Sequence, residues 1–258
     1  MRRFFIASEC LPVGREMPGP VKAVGDDFHH IRNVLRMGAG DRLILFDGTG
    51  LEYEAEIIAT AGDAVTLQII RQLSASVESP LALAVAQGLL KDKKMDVLVR
   101  HLTELGMTRW VPFQAERSVP KLDDHKRRVR VERWEKIAQE ALKQCGRSAK
   151  PQVDTVVSLD EVFAAAKDYT LKLFFWERAV DGLPEWPNDP PENGKSVFMV
   201  LGPEGGFSED EAARARAAGF AIVSLGPRIL RAETAAMAAC AVAQYRYGDM
   251  ASGRLKTP

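Results

Sequence analysis

Leu201-Gly202-Pro203-Glu204-Gly205-Gly206 and Leu225-Gly226-Pro227-Arg228-Ile229-Leu230-Arg231 repeat one local design, an apolar run that ends at a Leu-Gly-Pro corner. Each reads as a strand that stops at its corner. Glycine carries no Cβ, so backbone there can approach a neighbouring group closely, and two such corners near one another are suited to line one slot for a flat ligand. The second corner runs on into Arg231 and Glu233, which bring charge beside the slot. On spacing alone a plain turn into a helix explains the first corner better, because Ser208 and Glu211 have the spacing of a capping box. The segment lacks the Gly-Lys-Ser/Thr ending of a P-loop and does not follow an N-terminal first strand, so neither common phosphate motif applies.

Outward from the corners, the chain after Pro80 alternates strands at 81–86, 109–113, 171–176, 196–201 and 221–225 with helices at 93–105, 124–145, 158–167, 209–218 and 234–247. That alternation predicts a parallel sheet covered on both faces, an α/β domain over residues 80–258. In the second helix Trp134, Ile137, Ala138, Ala141, Leu142 and Cys145 recur at helical spacing, a core stripe rather than a site. Residues 188–194 read as a surface loop. Residues 1–74 have a different texture: β-rich runs at 43–46, 53–58 and 64–71, glycine turns between them and a short helix at 27–35, which together predict a small barrel. The serine-rich stretch 73–80 is the linker.

Composition narrows the partners. Lysine plus arginine equals aspartate plus glutamate, 35 of each, so no global positive field holds a polyanion and any nucleic-acid site is a local patch. Two patches qualify: Arg117, Lys121, Lys126, Arg127, Arg128, Arg130 and Arg133 on and before the second helix, and His29, His30, Arg32 and Arg36 on the barrel's helix. A solvated helix face is the ordinary explanation of such a run. Cys10, Cys145 and Cys240 are far apart and odd in number, which fits a reducing cytoplasm and no disulfide framework. His29, His30, His101 and His125 have no ligand-like spacing, so no metal is expected. No apolar run is long enough to span a bilayer, and the apolar start at residues 4–7 is cut short by Glu9 and Pro12.

The stretches 201–208 and 225–234 closely resemble the RsmE family of 16S ribosomal RNA uridine-N3 methyltransferases, within the knotted SPOUT superfamily. Arg3-Phe4-Phe5, His30-Ile31-Arg32-Asn33-Val34-Leu35-Arg36-Met37-Gly38, Phe46-Asp47-Gly48, Thr103-Glu104-Leu105-Gly106, Glu116-Arg117-Ser118 and Gln144-Cys145-Gly146-Arg147 follow in the family's order, so the resemblance covers nearly the whole chain. Arg100-His101 departs from the family's Gln-Lys.

The resemblance implies an N-terminal PUA-like β-barrel that holds RNA and a C-terminal α/β SPOUT domain with a trefoil knot. It also implies S-adenosylmethionine as cofactor and a homodimer with part of the alanine-rich segment 235–243 against its partner. By the same resemblance the cofactor falls to Leu201, Gly202, Glu204, Gly206, Leu225, Gly226, Ile229 and Leu230, with the loop after Trp176 as a third wall. Arg3, His30, Arg32, Arg36, Arg117 and Arg147 fall to RNA of the small ribosomal subunit.

The chemistry such an enzyme needs can be stated directly. A sulfonium methyl is already activated, so the protein chiefly positions the nucleophile. Uridine N3 keeps its proton at neutral pH, so a base removes it and a cation meets the anion left on O2 and O4. Arg231 is assigned to that anion and Glu233 to the base, with Glu204 as its rival. The target nucleotide is expected splayed from single-stranded RNA. Two other functions remain open on sequence alone: an RNA-binding protein whose corners are only turns, and a related methyltransferase acting at another RNA position.

Overall fold

The computed structural model describes residues 1–6, 19–25, 29–73, 77–178 and 196–251; Cys10, the start of the expected 27–35 helix, the middle of the linker and the expected loop at 188–194 lie outside the described residues. The chain forms two compact units, Met1–Glu78 with Leu142–Lys150, and Ser79–Ala141 with Pro151–Pro258.

The first unit is a five-stranded sheet in the order β1-β3-β4-β5-β2, from β1 (Arg3–Phe5), β2 (Val21–Val24), β3 (Arg42–Phe46), β4 (Glu52–Ala61) and β5 (Ala64–Leu73). Period-two alternation builds its core: Leu43 and Leu45, Ala55 and Ile57, and Val65, Leu67 and Ile69 turn inward onto Phe4, Val21 and Ile31. Register shifts at Glu54/Ala55 and Ile57/Ala59 curl the β4–β5 pair. Among the described residues β1 and β2 do not pair with each other, so the expected barrel is an open curled sheet. Among the described residues of the expected helix, His30–Val34 form a π-helical stretch.

Residues 142–150, which sequence patterning assigns to the second domain, belong to this unit because internal carboxylates hold them. Glu78 accepts the Ser148 and Ala149 N–H groups at 2.7 and 2.9 Å and Nε of Arg147 at 2.8 Å. Arg3 pairs with Glu52 at 3.0 Å and donates to the Arg147 carbonyl at 3.1 Å and the Ser148 hydroxyl at 3.0 Å.

The second unit is a seven-stranded sheet: β6 (Ala82–Gly88), β7 (Arg109–Gln114), β8 (Gln152–Val153), β9 (Val157–Ser158), β10 (Leu171–Phe175), β11 (Ser196–Leu201) and β12 (Ala221–Val223). The order is β12-β10-β11-β6-β7-β8 with β9 also on β7, and every pairing is parallel. Strands β6, β7 and β11 are apolar on both faces, as a sheet covered on both sides requires. Leu83, Val85, Met199 and Leu201 face α1 (Lys94–Glu104), α2 (Asp124–Cys145) and α5 (Ala232–Tyr247). Ala84, Ala86, Phe198 and Val200 face α3 (Leu159–Ala165) and α4 (Glu209–Ala217). Trp134, Ala138, Ala141 and Leu142 of the α2 stripe are buried. No helix among the described residues is long and apolar enough to cross a membrane.

One strand end differs from expectation. β12 stops at Val223, two residues before Leu225, so the second corner does not terminate a strand. Among the described residues β12 pairs only with β10, and that ladder ends where Phe175 meets Val223; the Trp176 N–H then closes it on the Val223 carbonyl at 2.8 Å.

Candidate active site

In a parallel sheet every strand delivers its carboxyl end to the same side, and ligands of open α/β sheets bind in the crevice there. Strands β12, β10 and β11 are neighbours, and the segments leaving them, 224–232, 175–177 and 201–207, line one cavity of about 810 Å³ with Lys94 of α1 and Ala235 of α5. That volume suits a small organic ligand.

The first corner is fastened from several directions. The Gly206 N–H closes a turn on the Pro203 carbonyl at 2.9 Å. Gln87, fully buried at the end of β6, donates Nε2 to the Gly202 carbonyl at 2.8 Å. Arg117 reaches the Gly205 and Phe207 carbonyls at 3.3 and 3.4 Å. Phe207 packs on Phe174 and Phe113 with ring centroids 4.1 and 6.3 Å away. Beyond it the expected capping box forms between Ser208 and Glu211, and Glu211 also accepts the Glu116 N–H at 2.9 Å. Gly206 has φ +66°, and a Cβ there would stand 2.7 Å from Oε1 of Glu177.

The second corner is open. Gly226, Pro227, Arg228 and Ile229 are exposed, Ile229 to 88 %, and no side chain from 224 to 231 makes a hydrogen bond or ion pair among the described residues. Gly226 has φ +94°, but a Cβ there would meet nothing within 4 Å, so backbone conformation rather than crowding demands glycine.

Charge concentrates at the rim. Nζ of Lys94 lies 3.1 Å from Oε1 of Glu204 and 3.6 Å from Oε1 of Glu233, and the Lys91 N–H donates to Glu204 at 3.2 Å. Burial pushes the Glu204 carboxyl up, but the Lys94 ammonium and backbone N–H groups outweigh it and hold the carboxyl below its ordinary value. The hydrogen bond to Glu204 holds Lys94 above the ordinary lysine value against its own desolvation. Oε2 of Glu233 and Nε1 of Trp176 are buried without a partner among the described residues. Arg231 precedes α5 as its N-cap and is exposed, and Glu233 lies in that helix's first turn, where the helix dipole favours an acid.

Leu201, Gly202, Glu204, Gly206, Leu225, Gly226, Ile229, Leu230 and Arg231 all lie on the cavity wall. Glu233 does not, and joins the site through Lys94. The RNA set divides. His30, Arg32 and Arg36 are exposed on the first unit, and Arg117 is exposed while buttressing the first corner. Arg3 and Arg147 instead pair with Glu52 and Glu78, and Arg147 is only 4 % exposed. Sequence reasoning missed two residues of this site. Gln87 reads only as a break in an apolar run, and Lys94 only as the last of a lysine cluster before a helix.

Residues 77–244 match the family model of an RNA methyltransferase domain and residues 25–70 that of an RNA methyltransferase PUA domain. Over 251 residues, 95% of this chain and 97% of the relative, the chain is 34% identical to ribosomal RNA small subunit methyltransferase E of Bacillus subtilis (strain 168). The chain belongs to the ribosomal RNA small subunit methyltransferase E family. A methyltransferase E from Synechocystis sp. is 33% identical, with 83% of this chain and 69% of that one covered. The crystal structure of methyltransferase E from Neisseria gonorrhoeae bound to S-adenosyl methionine is similar at a TM-score of 0.85 and 31% identity, covering 97% of this chain and 99% of that one.

Proposed function

We propose that this chain transfers a methyl group from S-adenosylmethionine to N3 of a uridine in 16S ribosomal RNA, in the cavity at the carboxyl ends of β10, β11 and β12. The observation that carries this is the cavity's construction, with glycine-rich backbone on its walls and an unpaired cation, Arg231, on its wall beside a Lys94–carboxylate cluster. The residues fit the cofactor. Gly202, Gly205, Gly206 and Gly226 present main chain without side chains, and the buried indole N–H of Trp176 has no acceptor among the described residues. Leu201, Gly202, Glu204, Gly206, Leu225, Gly226, Ile229 and Leu230 would hold it, and its chemistry when bound is an electrophilic methyl on a sulfonium.

The chain's own residues then serve the uracil. Arg231, exposed and unpaired among the described residues, meets the charge that grows on the ring oxygens as N3 loses its proton. Glu233 is the proton acceptor, with Oε2 free of any donor among the described residues. Glu204 lines the cavity more directly, but the Lys94 ammonium and backbone N–H groups hold its carboxyl below the ordinary value, which weakens it as a base.

His30, Arg32, Arg36 and Arg117 are the proposed RNA contacts, with substrate phosphates supplying most of the affinity. The proposed assembly is a cytoplasmic homodimer whose C-terminal domain is threaded as a trefoil knot. What supports the dimer is α5, which packs Ala236, Ala239 and Ala243 on its own sheet and leaves Met237, Ala238, Ala241 and Val242 half-buried and Tyr245 exposed. Titration calorimetry with S-adenosylmethionine tests the function, with one site per chain expected. A folded protein that binds none contradicts it and favours a purely RNA-binding role.

A further inference from the structure

Lys94 is the first residue of α1 and touches both carboxylates of the site, which come from two other pieces of the chain, the first corner and α5. We propose that Lys94 is a positioning residue for the methyl transfer: anchored by Glu204 and lining the cavity itself, it fixes the carboxylate of Glu233 behind it. The proposal rests on the function stated above.

Glu204 qualifies as the anchor because it is held twice on Oε1, by the Lys91 N–H at 3.2 Å and by Lys94 at 3.1 Å. An ammonium has three donors on a flexible stem, so one lysine can serve two carboxylates at once. The longer contact, 3.6 Å to Glu233, leaves that second carboxylate the less constrained of the two. Its other oxygen is buried and has no donor among the described residues. Oε1 of Glu233 is thus oriented by protein, while Oε2 carries no competing donor among the described residues.

Among the described residues no other cation pairs with either glutamate. Arg228 and Arg231, in the loop leading to α5, have no partner among the described residues, and β11, packed under α5, contributes no titratable side chain. Asp96, the other acid near the start of α1, is taken up by Arg133 at 2.7 Å and by the Trp134 indole at 3.2 Å. Without Lys94 the two glutamates would face each other uncompensated, and Glu233 would turn away from Glu204. The hydrogen bond to Glu204 holds the Lys94 pKa above its ordinary value, which keeps the ammonium at neutral pH.

The test is a double-mutant cycle on the full chain with S-adenosylmethionine and 16S ribosomal RNA. Lys94→Met should lower kcat by roughly 100-fold, the scale of a misplaced catalytic group, and by much more than it weakens S-adenosylmethionine binding measured by calorimetry. Lys94→Arg should recover most of the loss. In a Glu233→Gln background, Lys94→Met should cost less than about twofold, because its effect runs through Glu233. An undiminished loss in that background, or an unchanged kcat, overturns the proposal. Urea unfolding of the free chain gives a readout independent of activity: Lys94→Met and Glu204→Gln should be coupled, and strict additivity overturns the anchoring. A wild-type chain that binds no S-adenosylmethionine contradicts the function itself, whereas active wild type beside fully active Lys94→Met contradicts only the role of Lys94.

Discussion

The two Leu-Gly-Pro corners are nearly identical in sequence and opposite in construction. Residues 202–207 are tied down by Gln87, Arg117, a packed Phe207 and an ion-paired Glu204, whereas the side chains of residues 224–231 make no hydrogen bond or ion pair among the described residues and leave Ile229 exposed. Both line one cavity. One wall is therefore built by the fold, and the other is left for whatever enters the cavity to organise. Similar motifs do not imply similar rigidity; what decides it is which distant side chains reach the backbone.

The largest expected effect lies on the open wall. Arg231→Ala should lower kcat by roughly 100-fold to 1,000-fold, the usual cost of removing one donor to a developing anion, with little change in cofactor affinity. Steady-state kinetics alongside calorimetry checks this, and normal turnover removes the assignment. On the built wall, Gln87→Leu strips the Gly202 carbonyl of its buried donor and should destabilise the protein by about 1–3 kcal/mol in urea unfolding. Activity should fall only as far as the first corner moves. A Gln87→Leu protein of wild-type stability would mean that corner is not held as described.

Gly226→Ala should cost about 1–2 kcal/mol, because alanine is strained at φ +94° even where its Cβ has room. Weakened cofactor binding should accompany it, with a circular dichroism spectrum like that of wild type. A larger valine there adds β-branched strain and makes a poorer probe of the slot.

The smallest effect is electrostatic. Glu204 in the folded chain lies below the ordinary value of 4.5 that it takes when unfolded, so its contribution is whole above that value and is lost as pH falls through the lowered one. Both partners are partly exposed, which limits the contribution to about 1 kcal/mol or less. The stability gap between wild type and Glu204→Gln should therefore be present at pH 7 and close in acid. A gap that widens on acidification would contradict the Lys94–Glu204 pairing.

Much of the second unit was legible because β6, β7, β10 and β11 are apolar runs and the 209–217 helix begins at a capping box, Ser208 with Glu211. The short strands β1 and β2 were not, since three or four residues become a strand only by pairing with β3 and β5. Both corners were visible and their meeting in one cavity was anticipated, but the end of β12 was set by its partner strand. Lys94 was hidden because its partners lie more than a hundred residues away, where no local pattern points. The ion pairs of Arg3 with Glu52 and of Arg147 with Glu78 were hidden for the same reason, since each joins residues far apart in sequence.

The central claim is that these two unlike walls form one methyl-transfer site for uridine. Incubating the protein with 16S ribosomal RNA and isotopically labelled S-adenosylmethionine, then mapping the modified nucleoside by mass spectrometry, tests it most directly. A single N3-methyluridine, lost in Arg231→Ala, is the expected result; label on another base or atom, or no label with a protein that still binds RNA, would contradict the account.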